Sequence, residues 1–288
     1  MALSKLSGDE QGIILGQLCN TLEPRLAMYF SGASSELRVL LTPAVRQQLR
    51  ADHEAAVALC LKMGMGSCKE LREATDVDLE NRGLSADDLA TLASLGSVLP
   101  ALRILSLRES SGSAGPDGVP RLAEGLGAGA LPAVTVLTIG NMHMGDAGAE
   151  ALAAALGRGA LPRLKFLNLY SCGIGDAGLV ALAPALRRLP ALEALYLLDN
   201  PFGDEGLAAL VAPPPPPAGA LPPPTGVLTK LKDLYLSGTQ ITDAGCATLA
   251  AALGNGALPA LEKLHLDDIL ASDAARAAVY EARANLKE

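Results

Sequence analysis

The sequence predicts an α/β solenoid: a horseshoe arc of short parallel strands on the inner face and helices on the outer face, behind an all-helical N-terminal cap. Three observations carry this. A glycine followed four residues later by a leucine recurs at Gly118/Leu122, Gly148/Leu152, Gly178/Leu182, Gly206/Leu210 and Gly245/Leu249. Four of these glycines stand two residues after an acid: Asp146, Asp176, Asp204 and Asp243. A strand-like run of the form L-x-x-L-x-L also recurs. Its first position falls at Ala74, Leu102, Val134, Leu164, Leu192, Leu231 and Leu261, a base period of 28 residues stretched in places to 30, 32 and 39. Self-similarity at such a period means one supersecondary unit stacked on copies of itself, each burying its neighbour's apolar face. The chain divides into a cap, 1–70, and a solenoid of about seven units, 71–288.

No repeat fits the cap, and its signals are those of helices. Ser7–Glu10 is a capping-box pattern opening a helix over 8–19. Pro24–Phe30 reads as a short helix, and Ser34 or Ser35 can cap another over 36–41. Thr42-Pro43 is an N-cap and first-turn pair for a long helix ending near Gly64, and Ser67–Glu70 is a further capping box.

Within each repeat the residues at positions 1, 4 and 6 of the strand run point inward, as Leu164, Leu167 and Leu169 do in the fourth unit. An apolar residue at position 11 closes the layer: Leu84, Met144, Ile174, Phe202 and Ile241. The Asp that follows is placed to cap its own helix, because its carboxylate can accept free helix N–H groups. The glycine two residues on is expected to let that helix approach the strands. The helix buries leucines at a spacing of four, such as Leu182 and Leu186, and Pro132, Pro162, Pro190 or Pro259 starts the return.

The run LKFLNLYSCGIGDAGLVALAPALRRLPA (164–191) resembles a leucine-rich repeat of the ribonuclease-inhibitor-like subclass, and the resemblance extends over roughly 74–288. It implies a strand on the inner face and a full helix on the outer face of every unit. It also implies Asn or Cys at position 9, where a side chain satisfies turn backbone groups between layers. Here that position reads Arg82, Ser110, Met142, Cys172, Asn200, Thr239 and Ile269. Cys172 and Asn200 match, and Ser110 and Thr239 can still hydrogen-bond. Met142 and Ile269 cannot, so the third and seventh layers are expected to lose regularity. Cys172 is read as a ladder residue rather than a reactive thiol.

The segment 13–41 resembles an F-box through Ile13/Ile14, Leu18, Leu22-Glu23-Pro24-Arg25, Ala27 and Leu37-Arg38. That resemblance implies docking to a Skp1-type adaptor of ubiquitin ligases, with the repeats holding substrate. A plain helical cap shielding the first repeat is the competing reading.

Of the 288 residues 50% are hydrophobic, only 3% aromatic, and none is Trp, so Ala and Leu do the packing. The net charge of −8 argues against a nucleic-acid binder, which shows a basic excess. No charged-then-apolar signal sequence is expected from the residues read, and no apolar run reaches the ~18 residues a membrane span needs. Five scattered cysteines point to a reducing compartment, so the expectation is a soluble cytoplasmic protein, or a nuclear one. His53, His143 and His265 lie far apart, and there is no Cys-x-x-Cys, phosphate loop or G-x-S-x-G. The expectation is no catalysis, no metal and no cofactor.

The inner face is more informative. Positions 3, 5, 7 and 8 point away from the core. They give Phe166, Asn168, Tyr170 and Ser171, then Ala194, Tyr196, Leu198 and Asp199, then Asp233, Tyr235, Ser237 and Gly238, then Lys263, His265, Asp267 and Asp268. Phe166, Tyr170, Tyr196 and Tyr235 are expected to form one contiguous patch, as aromatic anchors of a protein interface do. Asp76, Asp78, Glu80, Glu109, Asp199, Asp233, Asp267 and Asp268 outnumber Arg108 and Lys263 on this face, which favours a partner with a basic surface. The insertion PPPPPAGALPPP (213–224) is expected to be a polyproline II-like loop, either simply tolerated or read by an SH3, WW or profilin-type partner.

These features converge on a non-enzymatic interaction scaffold that binds a protein on its concave face. The binding residues are Phe166, Asn168, Tyr170, Tyr196, Leu198, Asp199, Asp233, Tyr235, His265 and Asp267. The rivals are an F-box-type substrate adaptor, a GTPase-activating protein of the Ran type, which uses similar long repeats, and a structural subunit of a large assembly.

Overall fold

The structure is a computed structural model that describes residues 20–25, 27, 29, 39, 41–211, 228–283 and 285–287. The expected helix over 8–19, most of the F-box-like segment 13–41 and the proline-rich insertion lie outside the described residues. So the docking expected of a Skp1-type adaptor has no described counterpart.

Seven strands form one parallel sheet in sequential order: β1 (Asp76–Asp78), β2 (Ile104–Arg108), β3 (Val136–Gly140), β4 (Phe166–Asn168), β5 (Ala194–Tyr196), β6 (Asp233–Tyr235) and β7 (Lys263–His265). Each strand pairs with its neighbours in the chain, the signature of a solenoid, and Lys263 of β7 makes one further bridge to Lys287. The position-4 residues lie in register across the whole sheet: Val77, Leu105, Leu137, Leu167, Leu195, Leu234 and Leu264. All seven are buried, as are the position-6 residues and the layer-closing Leu84, Met144, Ile174, Phe202 and Ile241.

The cap contributes α1 (Pro43–Lys62) and α2 (Cys68–Glu73). The outer layer holds α3 (Ala86–Ser94), α4 (Gly118–Gly125), α5 (Gly145–Gly157), α6 (Asp176–Leu186), α7 (Asp204–Val211), α8 (Asp243–Gly254) and α9 (Asp273–Glu281). Thr42 caps α1 as expected, its Oγ1 accepting the Val45 amide at 3.3 Å. At α2 the expected box is half formed. Ser67 accepts the Glu70 amide, but Glu70 accepts from Gly66 rather than from Ser67. The buried cluster runs without a break from Leu22 through α1 and α2 to Val279, so cap and repeats share one core.

Three expectations are corrected. First, the recurring Asp does not cap its own helix; it sits in that helix's first turn and caps the start of the next one. Asp146 Oδ1 accepts the Gly175 amide at 2.7 Å, and Asp176 Oδ1 accepts the amides of Gly203 (2.8 Å) and Gly206 (2.7 Å). Asp204 accepts the Thr242 amide and hydroxyl, and Asp243 the Ser272 amide and hydroxyl. The carboxylates therefore bond repeat to repeat, at the positive ends of successive helices.

Second, at Gly178, Gly206 and Gly245 the glycine makes room for this carboxylate rather than for the strand layer. A Cβ on Gly178 would stand 2.5 Å from Asp146 Oδ1, and one on Gly206 would stand 2.9 Å from Asp176 Oδ1. The Asp and Gly of the repeated D-x-G are thus one device split across two repeats.

Third, the third and seventh layers keep their regularity. β3 is among the longest strands and pairs with β2 over all five residues. Met142 is buried, and the turn amides of Asn141 and Gly145 find carbonyls of the next repeat, Tyr170 and Cys172. The Asn141 bond has counterparts at Ser171, Asp199 and Gly238, so this backbone ladder does not depend on the side chain at position 9. β7 pairs with β6 over its whole length.

Candidate functional site

The concave face is built from the sheet's alternation: inward leucines fix the strands, so the intervening residues must face out. On the last four strands those residues bring rings together. Tyr196, Tyr235 and His265 occupy the same register position on β5, β6 and β7. Ring centroids lie 4.0 Å apart for Tyr196 and Tyr235, tilted at 37°, and 3.9 Å for Tyr235 and His265, stacked at 20°. Phe166 meets Tyr196 edge-on at 4.7 Å across the register. Strand spacing of about 4.8 Å sets such contacts, because in-register rings on a parallel sheet must stack. All four side chains are half-buried; the rings cover one another and leave the outer rim of the row to solvent.

Tyr170 does not join this row. Its ring lies over Gly140 at the end of β3, where any side chain would collide with it, and its hydroxyl accepts from Asn141 Nδ2 at 2.9 Å. The expected four-aromatic patch is therefore corrected: His265 takes the place of Tyr170, because it shares position 5 with Tyr196 and Tyr235, whereas Tyr170, at position 7, leans towards the preceding repeat; Phe166 joins the row from position 3 of β4. Asn168 is occupied locally, its Oδ1 accepting the Tyr170 amide at 3.1 Å.

The charges divide similarly. Asp233 pairs with Lys263, its register neighbour, at 3.5 Å, and Asp267 lies 4.0 Å from His265. Arg108 is engaged by Glu80 at 2.6 Å. Burial pushes the Tyr196 hydroxyl up to about 12, helped by its hydrogen bond with Tyr235 and the nearby charge of Asp233. At neutral pH that hydroxyl is a protonated donor. Leu198 is half-buried beside the row, and Asp199 is exposed at the turn beyond it.

Glu109 is not on this face. It is 1% exposed, and it takes over the ladder task of its repeat. Its carboxylate accepts the Leu84 amide at 3.0 Å, the Ser111 hydroxyl at 2.5 Å and the Ser111 amide at 3.2 Å. Burial alone would raise its pKa; the hydrogen bonds from Ser111, Leu84 and Gly83 outweigh this and hold it below the ordinary range. The backbone shows why. Position 8 is left-handed in six repeats, with φ of 50° at Asn81, 56° at Asn141, 52° at Ser171, 54° at Asp199, 69° at Gly238 and 53° at Asp268. Those small polar residues and glycine tolerate such φ. Glu109, in the second repeat, is the exception, and its side chain turns inward. Without it the face carries seven acids against two bases.

Position 9 behaves as expected at Asn200, which is 1% exposed. Its Oδ1 accepts the amides of Cys172 and Ile174, and its Nδ2 lies within 3.0 Å of the carbonyls of Leu169, Leu197 and Leu198. Cys172 is fully buried, its thiol pushed up to about 12 by burial, and its sulfur donates to the Ile139 carbonyl. It is a ladder residue, as the sequence suggests.

Among the described residues no group of three or more His, Cys, Asp or Glu is placed to hold a metal, and no helix is long and apolar enough to cross a membrane.

A match to a family model agrees with the repeats. Segments 161–183, 189–211 and 227–250 match a family model described as Leucine Rich repeat. No curated protein matches the chain. Among solved structures, internalin C2 of Listeria monocytogenes is similar at 19% identity, with 78% of each chain covered and a TM-score of 0.44. The actin-binding site 2 of leiomodin-1 is similar at 14% identity, over 69% of this chain and 87% of that one, with a TM-score of 0.40.

Proposed function

We propose that this chain, a leucine-rich-repeat solenoid, is a non-enzymatic scaffold that binds a protein partner of basic surface on the concave side of its last four repeats. The observation that carries this reading is the continuous row of Phe166, Tyr196, Tyr235 and His265. A chain with eight Phe and Tyr in all places three of them, with a histidine, along one line of an open sheet. Rigid stacked aromatics lose little side-chain entropy on binding and are the usual hot spots of interfaces. Around them stand Asp199, Asp233, Asp267 and Asp268, of which Asp199, Asp267 and Asp268 are exposed. Carboxylates at the rim speed the docking of a cationic partner and set its orientation more than they add affinity. Leu198 adds apolar area, while Asn168 and Tyr170 extend the polar surface towards the third repeat.

Affinity capture with mass spectrometry tests this, with wild type and Tyr196→Ala as baits side by side. Capture of a basic protein by the wild type and its loss by the variant supports the reading. Equal capture by both refutes it.

A further inference from the structure

Two thiols meet under the cap, away from the concave face and outside the ladder. Cys60, on α1, and Cys68, the first residue of α2, are 2% and 7% exposed. Their sulfurs are 3.8 Å apart, with Cys60 donating towards Cys68. A half-open cavity of about 530 Å³ reaches both cysteines, between the chain at Leu22 and Pro24 on one side and His53 and Met65 on the other. A second cavity, of about 470 Å³, meets Cys68 from the side of Pro100. The connection between the cysteines contains Gly64, at φ 77°, and Gly66. It is a turn able to absorb the movement that brings the sulfurs to a bond length of about 2.05 Å.

We propose that Cys60 and Cys68 form a reversible disulfide by exchange with a small soluble disulfide, RSSR, admitted through this cavity. Cys68 loses its proton and attacks one sulfur of RSSR, making a mixed disulfide and releasing one thiol, RSH. Cys60 then gives up its proton and displaces the second RSH, leaving the Cys60–Cys68 bond. One dithiol and one RSSR become one protein disulfide and two RSH. Cys68 reacts first because it is the more exposed and borders both cavities. Thiolate is scarce at Cys60, its thiol pushed up to about 12 chiefly by burial. Its attack is intramolecular, and proximity offsets the scarcity of thiolate. The new bond staples α1 to α2, and so fastens the cap to the chain entering β1.

The test treats the folded full-length protein with oxidised glutathione, blocks remaining thiols with an alkylating agent in denaturant, and digests with trypsin. Cleavage after Arg50, Lys62 and Lys69 puts the two cysteines on separate peptides, 51–62 and 63–69. The expected result is that these peptides are recovered joined, that dithiothreitol separates them, and that Cys172 and Cys246 stay alkylated. With Cys60→Ser, glutathione is expected to remain trapped on Cys68. Recovery of both peptides singly alkylated, at an oxidant level that joins them in the urea-unfolded chain, overturns the proposal. So does a stable glutathione adduct on Cys68 beside a free Cys60, or a cross-link from either to Cys19.

Discussion

Replacing Asp176 with alanine removes the acceptor of two amide hydrogen bonds, from Gly203 at 2.8 Å and Gly206 at 2.7 Å. Both amides are partly buried at the start of α7. Each such bond to a carboxylate at a helix start is worth about 1 kcal/mol, so Asp176→Ala should lose about 2 kcal/mol. With a denaturant slope of about 3 kcal/mol/M, the urea midpoint falls by about 0.7 M. The structure makes a sharper claim through the partner glycine. A Cβ on Gly206 would stand 2.9 Å from Asp176 Oδ1 and 3.2 Å from Leu179, so Gly206→Ala must displace the carboxylate and break the same bonds. In the Asp176→Ala background there is no carboxylate to displace, and Gly206→Ala should be milder by about 1 kcal/mol. Urea melts of the two single variants and the double variant complete the cycle. Additive losses, or a loss below about 0.5 kcal/mol for Asp176→Ala, would refute the idea that Asp and Gly act as one unit between repeats.

Three further predictions concern the layers. Asn200→Ala strands two amides and three carbonyls in the core, and circular dichroism melts should show a loss of about 3 kcal/mol or more, above that of Thr239→Ala, whose hydroxyl serves one carbonyl. Glu109 has a folded pKa below its unfolded value, so its contribution is present above the unfolded value and is lost as pH falls through the folded one. Stability measured from neutral pH down to acid should therefore decline less steeply for Glu109→Gln than for wild type. Leu167→Ala should lose about 2–5 kcal/mol, whereas Asn168→Ala, which gives up one turn hydrogen bond, should lose about 0.5–1 kcal/mol in the same urea assay.

The strand register, the inward leucines and the start of α1 were all legible in the sequence, because each rests on a local period or cap. What the sequence hid depends on the neighbouring repeat. The D-x-G pattern was visible, but read within one unit it suggests a self-capping helix. Only stacking shows that Asp176 reaches forward to Gly203 and Gly206. The common alternation places Glu109 on the concave face; a glutamate where the other repeats hold Asn, Ser, Asp or Gly is the signal that it turns inward. Tyr170 and His265 exchanged roles for a related reason. Register across neighbouring strands decides which rings stack face to face, and an aromatic count does not. Nothing in the spacing of Cys60 and Cys68 announced that the turn between helices would bring their sulfurs together.

The concave row is the centre of the functional account, and Tyr196 is its middle ring. The most direct measurement is the affinity of a captured partner for wild-type protein and for Tyr196→Ala, with circular dichroism to establish that both are folded. The account predicts a loss of about 2 kcal/mol or more, roughly thirtyfold in Kd, since the substitution breaks the row between Phe166 and Tyr235. It also predicts an association rate that falls as salt rises. An unchanged affinity in a folded Tyr196→Ala protein would contradict it and move the binding surface off this face.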